Sequence, residues 1–250
     1  MTIKGWRVPM MASLIVWLVL WEIVGRTGAV FLIPPVTGII EAGLRLVQTG
    51  TWQQATVDTL RSYGMGMALA IAIGVPLGVL MGRSKPADKL LGMWVNLFVS
   101  APLSALVPVL MILFGIGEKT VVATVFLFAV WIIALDTRAG ILHVPKSLEE
   151  MGRSYLASPV QLYGKIILWA ALPEILAGIR LGLIRGVKGV VIGQLLVSII
   201  GYGALFELYS RSFDMEHFWA ITFMLFAAAM VLSSIVEAFE KRIEYYAGAR

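Results

Sequence analysis

Few side chains in this 250-residue chain are of the types that make and break bonds, and they are scattered. The two histidines, His143 and His217, stand apart, and neither belongs to a His-Glu-x-x-His pattern that would seat zinc on one helix face. There is no cysteine, which excludes disulfides, thiolate metal sites and a cysteine nucleophile. No Gly-x-x-x-x-Gly-Lys-Ser/Thr loop cradles phosphate, so any ATP hydrolysis must belong to another chain. Acids, bases and nucleophiles do not cluster, which argues against an intramembrane enzyme. What remains is electrostatic. Lys188 and Arg185 lie three residues apart in a long apolar run, on one helix face. If that run begins near Pro173, Lys188 is roughly 22 Å along it, near or beyond the centre of a bilayer. A lysine there costs at least about 2.5 kcal/mol. Two readings stand. Lys188, with Arg185, lines a pathway and attracts an anionic solute, or it pairs with a carboxylate or carbonyls of another helix.

The elements that must hold these residues follow from composition. Hydrophobic residues make up 59% of the chain and charged residues 14%, and the mean hydropathy is +0.89. A soluble domain of this size cannot hide so much apolar surface. A disordered chain, a basic nucleic-acid-binding domain and most soluble enzymes are excluded, and several membrane spans are expected. The net charge of +5 is read as basic loops against anionic lipid, not as a nucleic-acid patch.

Six apolar regions can be traced: about 9–25, 63–82, 90–114, 120–135, 177–199 and 218–236. The first, opening at Pro9 after Lys4 and Arg7, lacks a small-x-small cleavage site and reads as an uncleaved helix. Pro34-Pro35 breaks the chain after it. Residues 37–62 are amphipathic, as if lying along the membrane surface or against other helices. The fifth region is split at Pro173 into a short interfacial piece and a span. Residues 201–217 read as a polar loop. In 63–82, Ala70, Gly74, Gly78 and Gly82 recur every four residues, a spacing that admits a close helix neighbour, fixed or moving. The third region holds Ser100, Pro102, Ser104 and Pro108. Each proline frees a carbonyl that protein or a watery cavity must satisfy, so this helix faces a pathway or forms a buried kink. Tryptophans near span ends (Trp6, Trp94, Trp219) read as interface markers.

With six spans both termini share a side. Thirteen of the 20 basic residues, from Lys4 and Arg7 to Lys241, Arg242 and Arg250, then fall on that side. Arg26, Arg45, Arg61, Lys119 and Arg211 fall on the other, with Arg185 and Lys188 inside a span. The asymmetry predicts cytoplasmic termini.

The polar connection at about 136–165 is the other candidate site. A helix is predicted to start near Ser147, with Glu149 and Glu150 in its first turn, and a second at Ser158-Pro159. Two short helices under the bundle make a docking surface; the plainer reading is a solvated charged loop.

This stretch resembles the cytoplasmic loop of binding-protein-dependent ABC importer permeases. Glu150-Met151-Gly152, Arg153-Ser154-Tyr155, Ala157-Ser158 and Leu172-Pro173 take the places of its signature. Leu156 stands where that loop has its glycine, and Trp169 where it has a proline. Pro102-Leu103-Ser104-Ala105-Leu106-Val107-Pro108 leading to Phe114-Gly115-Ile116-Gly117-Glu118 is similar to the nitrate, sulfonate and taurine branch. So are Pro34-Pro35, Gly178-Ile179-Arg180 with Arg185 and Gly189, and Gly201-Tyr202-Gly203, so that the likeness covers about residues 31–243. That branch usually has an apolar residue at Lys188 and a glutamate at Gln194.

The resemblance implies an all-α, six-helix type I permease in a bacterial inner membrane, one transmembrane domain over 1–250. The first span and amphipathic connection would occupy 1–62 and the core bundle 63–243. It implies a pathway formed by two permease chains, a homodimer by expectation, and two cytoplasmic ATPase subunits that hold ATP and magnesium, this chain holding no cofactor. A soluble extracytoplasmic binding protein would deliver the solute. Glu150, Arg153, Ser154, Tyr155, Ala157 and Ser158 would form the ATPase-coupling element. Lys188, Arg185, Gln194, Ser100 and Ser104 are the pathway candidates, for a small, anionic solute. The competing reading is an ion-coupled carrier without an ATPase, weakened by the scarcity of acids in the spans and the lack of evident inverted repeats.

Overall fold

A backbone in hydrocarbon has no water to satisfy its N–H and C=O groups, so apolar sequence must close its hydrogen bonds within helices. The computed structural model describes residues 2–3, 6–7, 10–197 and 199–248, and Lys4, Pro9 and Arg250 lie outside the described residues. Apart from a two-residue antiparallel pairing of Thr2–Ile3 with Trp6–Arg7, the regular structure described is helical. In chain order the first six helices are α1 (Met10–Thr27), α2 (Val36–Val47), α3 (Gly50–Arg83), α4 (Lys85–Ser100), α5 (Val107–Phe114) and α6 (Glu118–His143). Then come α7 (Lys146–Ser154), α8 (Pro159–Leu162), α9 (Leu168–Ala170), α10 (Leu172–Val197), α11 (Gly201–Arg211) and α12 (Met215–Gly248). A 3-10 turn, Leu103–Leu106, precedes α5, and a π segment, Tyr163–Ile167, joins α8 to α9.

Among the described residues, α3 and α6 are each long and apolar enough to cross a bilayer. Two bent pairs also qualify: α4 with Leu103–Phe114, bent by 99°, and Pro159–Ala170 with α10, bent by 64°. Helix α1 and the apolar part of α12, Met215–Ala228, supply the other two of the six expected regions.

Helix α6 is the central rod, with α3 and α10 along its two sides. Glycines make that approach possible. A Cβ added at Gly78 would sit 2.5 Å from Ala134 O, and one at Gly82 2.6 Å from Ile141 Cβ. The stripe of small residues read in 63–82 is therefore the α3–α6 contact. A second stripe on α10, not singled out from the sequence, mirrors it, with Gly178 against Asp136 and Gly182 against Ile133. Ile133, fully buried, is held between Gly74 of α3 and Gly182 of α10.

Several expectations are corrected. Helix α3 starts at Gly50, not near 63, because Thr49 caps it by accepting from Trp52 N at 3.2 Å, and it continues through Pro76 to Arg83. Its 34 residues span about 51 Å, more than the roughly 30 Å of hydrocarbon, so its amphipathic first part extends beyond the apolar layer. Only α2 forms a separate amphipathic connection. The third apolar region does kink at its prolines, turning sharply between Ser100 and Leu103, at Pro102. Residues 201–211, expected as loop, form α11, whose Tyr202, Leu205 and Phe206 are buried with Leu46, Ala55 and Ile221.

At the α1–α2 corner, Glu22 accepts from Thr37 N (3.1 Å), Thr37 Oγ1 (2.8 Å) and Arg26 Nε (2.6 Å), fastening α1 to the first turn of α2. Trp219 donates to Leu32 O at 2.8 Å and packs edge-on to Trp21.

Candidate functional site

The connection between α6 and α10 folds into an elbow built from two helix caps placed back to back. Helix α7 follows Pro145 and carries the Glu149–Arg153 ion pair, 2.6 Å, along its surface. It ends in a Schellman motif: Ala157 N donates to Gly152 O (3.1 Å) and Leu156 N to Arg153 O (2.9 Å). Ser154 Oγ donates to Met151 O at 2.7 Å. One residue later the next cap begins. Ser158 Oγ accepts from Gln161 N (3.3 Å), and Gln161 Oε1 accepts from Ser158 N (2.9 Å), a complete capping box with Pro159 at the first turn. Both predicted helix starts are found within a residue or two, at Lys146 and Pro159.

Gly152 lets the two arms of the elbow touch. A Cβ there would lie 2.5 Å from Leu162 Cδ1 and 2.8 Å from Ile166 Cδ1. Leu162 in turn belongs to a buried cluster with Ile167, Ala171, Ile175 of α10 and Ile141 of α6, bordered by Val75 and Val79 of α3. The Arg83 guanidinium lies 4.6 Å over the Tyr163 ring, tying the end of α3 to the same place. The elbow thus bears on all three core rods. A push on it moves packed side chains and cannot be absorbed by slack loop.

Of the coupling candidates, Glu150, Arg153, Ser154, Tyr155 and Ser158 are exposed and Ala157 is half-buried. The structure brings all six together within the elbow. The pathway candidates are not all together. Lys188 is exposed, off the glycine stripe of α10, on a side of the helix that also carries the exposed Leu181 and Leu195. Arg185 is half-buried and lies within electrostatic reach of Asp136 of α6. Ser100 and Ser104 are exposed on either side of the bend, whose 3-10 turn packs against α10.

Gln194 must be reassigned. It is 1% exposed. Its Nε2 donates to Thr59 Oγ1 at 3.0 Å, Thr59 donates onward to Ala55 O at 2.7 Å, and Gln194 Oε1 accepts from Tyr202 N at 3.2 Å. It is a clamp between α3, α10 and the start of α11. Gly201, at φ 58°, would place a Cβ 2.2 Å from Gln194 Nε2, which explains the Gly201-Tyr202-Gly203 sequence. Sequence reasoning missed Thr59 and Tyr202 because nothing local links positions 135 and 143 residues apart.

It also missed the ion pair of Asp88, at the start of α4, with Arg138 of α6. The pair lines a 250 Å³ cavity with Lys89 and Asn96. A groove of 720 Å³ between α1, α2 and α12 is almost wholly apolar and offers a polar solute no partner.

Comparison with known proteins agrees with this geometry. The family model for the binding-protein-dependent transport system inner membrane component matches residues 74–245. The taurine transport system permease of Escherichia coli is 28% identical over 81% of this chain and 78% of its own length. The bicarbonate transport system permease of Synechococcus elongatus is 25% identical over 89% of this chain and 86% of its own. In fold, the chain is similar to a chain of the MetNI methionine ABC transporter in inward-facing form, with a TM-score of 0.65 and 22% identity over 77% of this chain and 94% of that one. The six-region helical bundle, the elbow under it and the match from 74 to 245 converge: the chain belongs to the binding-protein-dependent transport system inner membrane components, the permeases of ABC importers.

Proposed function

We propose that two copies of this chain form the translocation pathway of an importer for a small solute bearing an oxyanion group. Two cytoplasmic ATPase subunits drive it through residues 147–160, and an extracytoplasmic binding protein delivers the solute. The observation that carries this reading is the doubly capped elbow, wedged by Gly152 and Leu162 onto α3, α6 and α10. Closure of the ATPases would move the elbow as a rigid body and tilt the rods together. Glu150, Arg153, Ser154, Tyr155, Ala157 and Ser158 form its contact surface. Both chain ends would lie on the elbow's side, as the distribution of basic residues supports.

The solute class rests on Lys188. A lysine exposed on a membrane helix must face water or another protein chain, because lipid would leave it unpaired. On the twofold axis of a dimer, two such lysines would face one another across a watery passage and favour anions. The relatives named for taurine and bicarbonate move solutes with a sulfonate and a carbonate group, which fits. The family assignment displaces the ion-coupled carrier.

The experiment is ATP-driven uptake by the complete complex in proteoliposomes. With residues 147–160 scrambled and the bundle folded, uptake should fall to background while solute binding by the binding protein is unchanged. Undiminished uptake would remove the elbow from the mechanism.

A further inference from the structure

The elbow carries a feature that rigid coupling does not require. Leu156 occupies the left-handed backbone region, φ 55°, where a Cβ crowds the following carbonyl and glycine is the natural occupant. Its side chain is also 92% exposed, beside Tyr155 at 82% and Val160 at 80%. Glycine would relieve the strain, and a polar side chain the exposure. Leucine relieves neither. Strain and apolar exposure coincide at the tip of a rigid element, the kind of local conflict that points to a role outside the fold.

The surroundings indicate what covers it. An element lying on lipid shows a continuous apolar stripe along one helix. Here the three apolar side chains come from a turn and the first residues of α8, and the exposed Arg153, Ser154 and Ser158 stand beside them in the chain. An apolar centre inside a charged and polar rim is the anatomy of a protein–protein contact. We propose that Tyr155, Leu156 and Val160 form an apolar plug that seats in an apolar socket of the ATPase subunit, and that Leu156 sets which ATPase this permease accepts. This rests on the reading of 147–160 as the ATPase contact.

Leu156→Gly and Leu156→Asn, both at home at positive φ, separate plug from fold. Each should unfold at a temperature no lower than the parent, yet bind the cognate ATPase about tenfold or more weakly. Leu156→Met should bind within about threefold of the parent. Parental affinity in both the Gly and Asn variants would overturn the plug. Because the chain has no cysteine, Leu156→Cys also accepts a single environment-sensitive fluorophore. Its emission should shift to the blue when the ATPase is added, and not on reconstitution into phosphatidylglycerol–phosphatidylethanolamine vesicles alone. A shift on vesicles alone assigns the plug to lipid and overturns the proposal, as does no shift when the complex demonstrably forms. If the chain scrambled over 147–160 still binds the ATPase, the underlying reading fails. If only the Leu156 variants bind normally, the plug fails and that reading stands.

Discussion

At the scale of single residues, the same helix carries a cation with neighbours and a cation without a covering. Arg185 has Asp136 within electrostatic reach, whereas Lys188 is exposed, as are Leu181 and Leu195 on the same helix. The two residues, one turn apart and equivalent in the sequence, therefore differ in their surroundings, and the proposed solute contact falls to Lys188. Replacing Lys188 by methionine keeps length and packing and removes the charge. A charge-assisted hydrogen bond to an oxyanion is worth about 1.5–3 kcal/mol, so the KM for ATP-driven uptake should rise about tenfold or more. Lys188→Arg, which keeps the charge, should retain most of the affinity. Equal KM in parent and Lys188→Met would return Lys188 to a structural role. Gln194 shows the opposite case. It was legible as polar within a span but not as a clamp, because its partners Thr59 and Tyr202 are neighbours only in three dimensions.

At the scale of elements, the legible features were those fixed by local chemistry. Ser158-Pro159 had to start a helix, Pro173 had to stand at a break, and the four-residue spacing of small residues had to admit a neighbour. What was not legible depended on packing. The start of α3 at Gly50 is hidden because its first turns are amphipathic, and α11 reads as polar loop because it opens on two glycines and ends in Glu207, Ser210 and Arg211, although Tyr202, Leu205 and Phe206 between them are buried. The mutual approach of α3 and α6 gives a direct test of the packing. Gly78→Ala would force a methyl to 2.5 Å from Ala134 O, a backbone atom that cannot rotate away. Overpacking of this kind costs about 3 kcal/mol, enough to lower the thermal midpoint in detergent measurably. Gly64, on the same helix, is exposed and has nothing within 4 Å of an added Cβ. Gly64→Ala should therefore be neutral or stabilising by about 0.5–1 kcal/mol. If both variants melt alike, the glycine stripe is not what sets the distance between the rods.

At the scale of the whole molecule, function depends on which side of the bilayer each end of the bundle faces. The elbow, the Asp88–Arg138 pair and the start of α10 lie at one end of α6, and Glu118 and Lys119 at the other. Helix α6 has 26 residues, about 39 Å long, so its two ends stand on opposite sides of a roughly 30 Å hydrocarbon layer. Coupling to a cytoplasmic ATPase requires the elbow to be inside, and the basic residues weigh the same way. The docking surface and the charge of the loops are independent features that require the same orientation, so a single experiment tests both. Both Ser147 and Lys119 are exposed, and the chain offers no competing thiol. In cells whose outer barrier has been removed and whose inner membrane is intact, a membrane-impermeant maleimide should label Lys119→Cys at once. Ser147→Cys should label only after the membrane is opened. The reverse pattern would put the elbow outside, where no ATP is available to drive it, and the charge distribution and the coupling mechanism would fall together.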